Sequence, residues 1–145
     1  MTTKKAAKLA VIVGHNNRAQ GAFSASPLNM TEYVFNKSIA LDMETMSTPE
    51  MEIEVFFRKA GLGYRKEIAE VYSRVDKWIG KSKGATIELH FNSFNGSSIG
   101  TETLSSGTVE SLAFAEEVQE ELLSVLARRK KADRGVKIRG SKERG

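Results

Sequence analysis

The chain has 145 residues, of which 40% are hydrophobic and 28% charged, with a formal net charge of +4 and no cysteine. This is ordinary globular composition at the length of one domain, and it excludes disulfides and thiolate metal ligands, so a metal site has to be built from His, Glu and Asp. No apolar run approaches the ~20 residues of a membrane helix. The N-terminus, Met1-Thr2-Thr3-Lys4-Lys5, leads directly into a strand-like segment without the pattern of a secretory signal.

Predicted elements alternate along the chain, which implies an α/β layered fold. The first strand, residues 9–13, is apolar on both faces, as a central strand covered by helices must be. A polar loop rich in Gly and Ser follows over residues 15–29. Periodicity predicts a first helix over residues 31–46, with Thr31 as N-cap and an inward stripe of Phe35, Ile39, Met43 and Met46. Glu32 heads that stripe.

The second strand, residues 51–57, sets Met51, Ile53, Val55 and Phe57 against Glu52, Glu54 and Phe56, a half-wet pattern that places it near a sheet edge. The second helix spans residues 64–79 with a stripe of Ile68, Tyr72, Val75 and Ile79 and with Arg65 one turn earlier. In the third strand, residues 85–90, Ile87, Leu89 and Phe91 face one way and Glu88, His90 and Asn92 the other. A short strand over residues 100–104 and a third helix over 108–128 complete the pattern, the helix carrying Leu112, Ala115, Gln119, Leu122 and Val125 on one side.

From Arg128 onward nine Lys and Arg face only Asp133 and Glu143, so that segment carries +7 and the rest of the chain −3. A basic tail of this kind suits any polyanion, although charge runs usually mark a solvated surface. Nucleic acid is a poor fit, because none of the 11 aromatic residues lies in the tail to stack on bases.

His15 and His90 are the only histidines, and each sits where a strand runs out, the edge at which open α/β sheets gather ligands. Taken singly, His15 is explicable as a loop residue, Glu32 as a favourable charge in a first helical turn, and His90 as a core histidine. Together they make two imidazoles and one carboxylate with a fourth position left for water, the ligand set of hydrolytic zinc sites. The polar strand face of Glu88, His90 and Asn92 supports this, since burying such groups unpaired costs a few kcal/mol each.

The sequence also resembles the zinc-dependent N-acetylmuramoyl-L-alanine amidases, in the single-domain branch that includes phage endolysins. The matching segments are Val13-Gly14-His15, Gly21-Ala22, Glu32-Tyr33 with Asn36, Arg65, Glu88-Leu89-His90-Phe91-Asn92, Gly100-Thr101-Glu102 and Arg134-Gly135-Val136-Lys137. The resemblance implies a three-layer αβα fold with a mixed, mostly parallel central sheet, formed by residues 1–145 as one catalytic domain. It implies Zn2+ on His15, Glu32 and His90, with Arg65 and Asn92 binding substrate. The implied reaction is hydrolysis of the amide between N-acetylmuramic acid and L-alanine in peptidoglycan, as in bacteriolytic bacteriophage enzymes. The protein is then expected to be made in the cytoplasm without a signal peptide and to act on the cell wall, with the basic tail free to meet an anionic wall surface.

The family pattern further implies a catalytic glutamate on a strand downstream of the late loop, and the sequence is expected to end before that strand and its helix, at Gly145. Glu102 and Glu88 are the candidates within the sequence for its acid–base role. Two other functions stand beside the amidase: a zinc carboxypeptidase-like hydrolase of stem peptides, with Arg58 or Arg65 binding substrate, and a non-catalytic cell-wall binding module.

Overall fold

A computed structural model of the chain describes residues 5–91, 100–126 and 133–139. They fall into two compact units divided after Phe91. The first unit contains strands β1 (Ala7–Val13), β2 (Phe23–Ser24) and β3 (Met30–Thr31), helix α1 (Glu32–Glu44), strand β4 (Met51–Phe57), helix α2 (Tyr64–Ile79) and strand β5 (Gly84–Leu89). The second contains strand β6 (Thr101–Ser105), helix α3 (Val109–Leu126) and strand β7 (Asp133–Ile138).

The apolar run of the first strand places β1 at the centre of a parallel sheet of order β4-β1-β5. Its side chains alternate between two cores. Ala10 and Ile12 pack with Phe56, Val71 and Val75 under α2, while Val11 and Val13 pack with Ala40 and Ile53 under α1. The sheet is thus covered on both faces, giving the expected three layers. Val11, Ile12 and Val13 are wholly buried, each stabilising the fold by about 1.5–3 kcal/mol. The half-wet second strand lies at the sheet edge as β4, where Met51 is exposed and Ile53 and Phe56 are buried.

The strand order has a consequence for ligand binding. The chain leaves β1 through α1 to β4 on one side, then crosses through α2 to β5 on the other side of β1. The carboxyl ends of β1 and β5 therefore flank a point where the winding reverses, which opens a crevice in sheets of this kind. Val13 is paired with Leu89, and the Gly14 N–H donates to the Leu89 carbonyl at 3.1 Å, so the residues following the two strands are side by side.

Both helical stripes of the first unit start about one residue away from the expected ones, while Met43 in α1 and Val75 and Ile79 in α2 pack on the cores as expected. In α1 the buried row is Glu32, Asn36 and Ala40, while Ile39 and Met46 are exposed and the helix ends at Glu44. Ala40 lets α1 sit close to β1, and the two polar residues of the row serve the crevice rather than the core. In α2 the buried row is Glu67, Val71 and Val75; Tyr72 is partly exposed and Arg65 is exposed. Thr31 caps α1 as expected, its side chain accepting from the Val34 N–H at 3.4 Å.

In the second unit β6 pairs in parallel with β7, a strand absent from the sequence reading, which treated residues 134–137 as loop. A register shift between Thr101 and Thr103, together with Gly135 at φ 76°, interrupts the alternation that would have marked β7. Gln119 fastens α3 to both strands. It accepts from the Thr103 hydroxyl at 2.8 Å and donates to the Thr101 carbonyl at 3.1 Å and to Asp133 at 2.8 Å. Among the described residues, no helix is long and apolar enough to cross a membrane.

Candidate metal centre

His15, Glu32 and His90 meet in the crevice at the ends of β1 and β5, each offering one ligand atom within 4.8 Å of the others. His15 Nε2 lies 3.2 Å and His90 Nδ1 3.0 Å from the same oxygen, Glu32 Oε1. For metal–ligand bonds of about 2.0–2.1 Å, the edge of a tetrahedron is about 3.3 Å, so these separations suit one shared ion.

Each of the three residues is placed by its local sequence. His15 turns out of β1 with φ 66°, a left-handed conformation uncommon outside glycine. Such strain is tolerated where surrounding structure imposes it, commonly at functional sites. Glu32 is the first residue of α1, directly after its cap, and is 3% exposed. Its Oε1 accepts from the Phe91 N–H at 2.8 Å and its Oε2 from the Ala22 N–H at 3.1 Å. Burial acts to raise the Glu32 pKa, yet the contact with His90, these two N–H groups and the charge of His15 hold it below the usual carboxylate value. Glu32 is an anion fixed in place.

Two glycines leave room for the cluster. A Cβ on Gly14 would stand 2.7 Å from His90 Nδ1, and one on Gly21 would stand 2.5 Å from Glu32 Oε2 and 2.8 Å from His15 Nε2. The donor set, its shared oxygen and this glycine cradle fit a small divalent ion with nitrogen and oxygen ligands.

Glu88 supplies the outer support. Its Oε1 lies 3.1 Å from His90 Nε2, and its Oε2 accepts from the Tyr72 hydroxyl at 3.2 Å. With Nδ1 turned to Glu32, His90 presents Nε2–H to Glu88, the arrangement in which a carboxylate orients a metal-bound imidazole. Burial acts to lower the His90 pKa, but the contacts with Glu32 and Glu88 and their charges raise it to about 9. Burial and the neighbouring Glu88 push Tyr72 up, so its hydroxyl stays protonated.

Behind Glu88 runs a buried polar chain, of which sequence reasoning offered Arg58 alone, as a substrate-binding residue of the carboxypeptidase-like alternative, and missed Glu67 and Asn16. Arg58 lies 3.7 Å from both Glu88 and Glu67. Glu67 accepts from Asn16 Nδ2 at 2.8 Å and from the Gly61 N–H at 3.0 Å. Asn36, next on the inner row of α1 after Glu32, donates to the Leu89 carbonyl at 3.1 Å and steadies the end of β5. The available signal was polar residues on the inner helical rows, at 32 and 36 in α1 and at 67 in α2.

The remaining expected site residues are not among the residues of this cluster. Arg65 is exposed on α2, and Asn92 lies outside the described residues. Glu102, in the second unit, is held by Arg134 at 3.4 Å and by Lys137. Residues 128–132 and 140–145, most of the basic tail, also lie outside the described residues.

The first unit is a parallel sheet between helix layers with a His-Glu-His cluster at its switch point, a group that could hold a metal ion. Residues 9–142 match the family model described as N-acetylmuramoyl-L-alanine amidase. The structure resembles that of the catalytic domain of the CD27L endolysin targeting Clostridia Difficile, with TM-score 0.72 and 25% identity over 91% of this chain and 70% of that one. No curated protein matches the sequence. The chain belongs to the N-acetylmuramoyl-L-alanine amidase family, in its endolysin-like branch.

Proposed function

We propose that the protein is a zinc-dependent peptidoglycan amidase that hydrolyses the bond between N-acetylmuramic acid and L-alanine. The observation that carries this reading is the convergence of His15, Glu32 and His90 on one carboxylate oxygen at the end of the sheet. Family membership and the likeness to an endolysin catalytic domain support it.

In this reading His15 Nε2, Glu32 and His90 Nδ1 hold the ion. When bound, zinc lowers the pKa of its water towards ~7 and polarises the amide carbonyl. The protein's own contribution is position and charge. Glu32 brings a full negative charge that its buried N–H donors keep ionised. Glu88 fixes the ring of His90 through Nε2 and is itself held by Tyr72 and Arg58. With both oxygens engaged, Glu88 acts as a positioning residue for His90 rather than as the proton carrier. Glu102, committed to two cations, is a weak candidate for carrying the proton to the leaving amine.

The test is product analysis. Purified peptidoglycan incubated with the zinc-loaded protein is expected to release new L-alanine amino termini and no new reducing sugar ends. Chelation should stop the release and added zinc should restore it. Cleavage confined to bonds within the stem would favour the carboxypeptidase-like alternative, and binding without any cleavage would favour the wall-binding module.

A further inference from the structure

Beside the metal centre, and sharing His15 with it, lies a pocket of about 260 Å³. The loop after β1 forms one wall with His15 and Arg18, and the entry to α2 forms the other with Arg58, Gly61, Tyr64 and Glu67. Nothing in the hydrolysis described above uses Arg18 or this space.

The charges around the pocket are unevenly satisfied. Among the described residues, Arg18 has no carboxylate partner, and its loop is turned inward by Asn16, whose Oδ1 accepts from the N–H groups of Arg18 and Ala19 at 2.9 Å each. Its Nη1 lies 3.3 Å from where a Cβ on Gly61 would stand, so the guanidinium spans the pocket to a glycine held at φ 91°. Arg58, 5% exposed, is 3.7 Å from each of its carboxylates, beyond hydrogen-bond length, and its buried Nε has no hydrogen-bond partner. Glu67 is the opposing charge, and both its oxygens are already taken by Asn16 and the Gly61 N–H. The helix beyond begins at Gly63 without a side-chain cap, which leaves its first N–H groups and positive dipole end at the same wall.

The pocket's one lining carboxylate, Glu67, thus has both oxygens engaged, and Glu88, behind Arg58, is bound to His90 and Tyr72. Two guanidiniums with unfilled donors in such a pocket suit a planar anion, which guanidinium donors bind through paired hydrogen bonds. We propose that this pocket binds a free carboxylate on the peptide side of the scissile amide. The proposal rests on the amidase reading for its substrate: the lactyl carboxyl of N-acetylmuramic acid is consumed in the amide, so the free carboxylate must belong to the peptide. Arg18 makes the direct contact, and Arg58 and the head of α2 supply the surrounding positive potential.

Binding tests this without requiring turnover. The full chain is titrated calorimetrically with a short peptide that begins with L-alanine and carries a carboxylate on its second residue. The same peptide with that group as a carboxamide serves as the control. The wild type should bind the carboxylate form roughly tenfold more tightly, the order expected for a hydrogen bond to a charged group. Arg18→Gln, a change at an exposed side chain, should remove the difference, and Arg18→Lys should restore part of it. Equal binding of the two peptides, no binding of either, or a preference that survives Arg18→Gln would each overturn the proposal. Failure to cleave muramoyl-peptides with the carboxylate preference intact would instead count against the amidase reading alone.

Discussion

The first unit of the chain buries Asn16, Glu32, Asn36, Arg58 and Glu67, and the second buries Ser105 and Gln119. In the second unit Gln119 and Ser105 are closed within the fold, while one buried guanidinium nitrogen, Arg134 Nη1, is left without a hydrogen-bond partner. Gln119 spans β6 and β7, and Ser105 Oγ meets Ser111 Oγ at 2.9 Å, tying the end of β6 to the start of α3. In the first unit the polar groups gather at one end of the sheet. Two imidazoles and a backbone N–H converge on a single oxygen of Glu32, and Arg58 is left with an unpaired donor. A polar group that fastens two elements together accounts for its own burial. Groups that crowd onto one shared acceptor account for theirs through something bound. On this contrast substitutions in the two units should separate into losses of binding and losses of stability.

The largest effect is expected from His90→Ala, which removes a ligand from the cluster. Zinc affinity should fall by more than the ~10–100-fold that loss of an outer supporting group costs, with hydrolysis falling alongside it, as measured by elemental analysis and amide release. Glu88→Ala should fall in that ~10–100-fold range for zinc, because His90 keeps its ligand atom and loses only the carboxylate orienting its ring. An unchanged zinc affinity in Glu88→Ala would reduce Glu88 to a structural partner of Tyr72 and Arg58.

Glu67→Ala should act on stability first. Removing one carboxylate beside the buried Arg58 leaves that charge undercompensated, at a cost of about 3–5 kcal/mol, read from denaturant unfolding. The smallest effect in this series belongs to Gln119→Ala. It opens the bonds to Thr101, Thr103 and Asp133 and should cost about 1–3 kcal/mol with zinc stoichiometry unchanged. Loss of zinc in Gln119→Ala would break the division between the two units.

The layered α/β architecture was legible in the sequence because β1 is apolar on both faces and the helices that cover it have clear periods. The meeting of His15, Glu32 and His90 was legible because histidines are rare in this chain, both follow strands, and Glu32 heads the first helix. The N-terminal ends of the inner helical rows were misplaced because hydrophobic periodicity assumes that the buried face is apolar, while Met43, Val75 and Ile79 were placed correctly. In α1 that face starts with Glu32 and Asn36, and in α2 with Glu67, each buried for the crevice. The same assumption hid the burial of Arg58 between Glu67 and Glu88, which the sequence offered only as a substrate-binding residue. Strand β7 was missed for a different reason: a register shift and a glycine at positive φ break a run too short to show its alternation.

The most direct measurement is zinc K-edge absorption on protein loaded with one equivalent of zinc and freed of excess metal. The account expects one tightly held zinc per chain, with a first shell of nitrogen and oxygen at about 2.0–2.2 Å and the outer scattering of two imidazoles. It also expects that signature to disappear in His90→Ala. A protein that retains no zinc, or one whose spectrum is the same with and without His90, would contradict the assignment of His15, Glu32 and His90 as the metal centre.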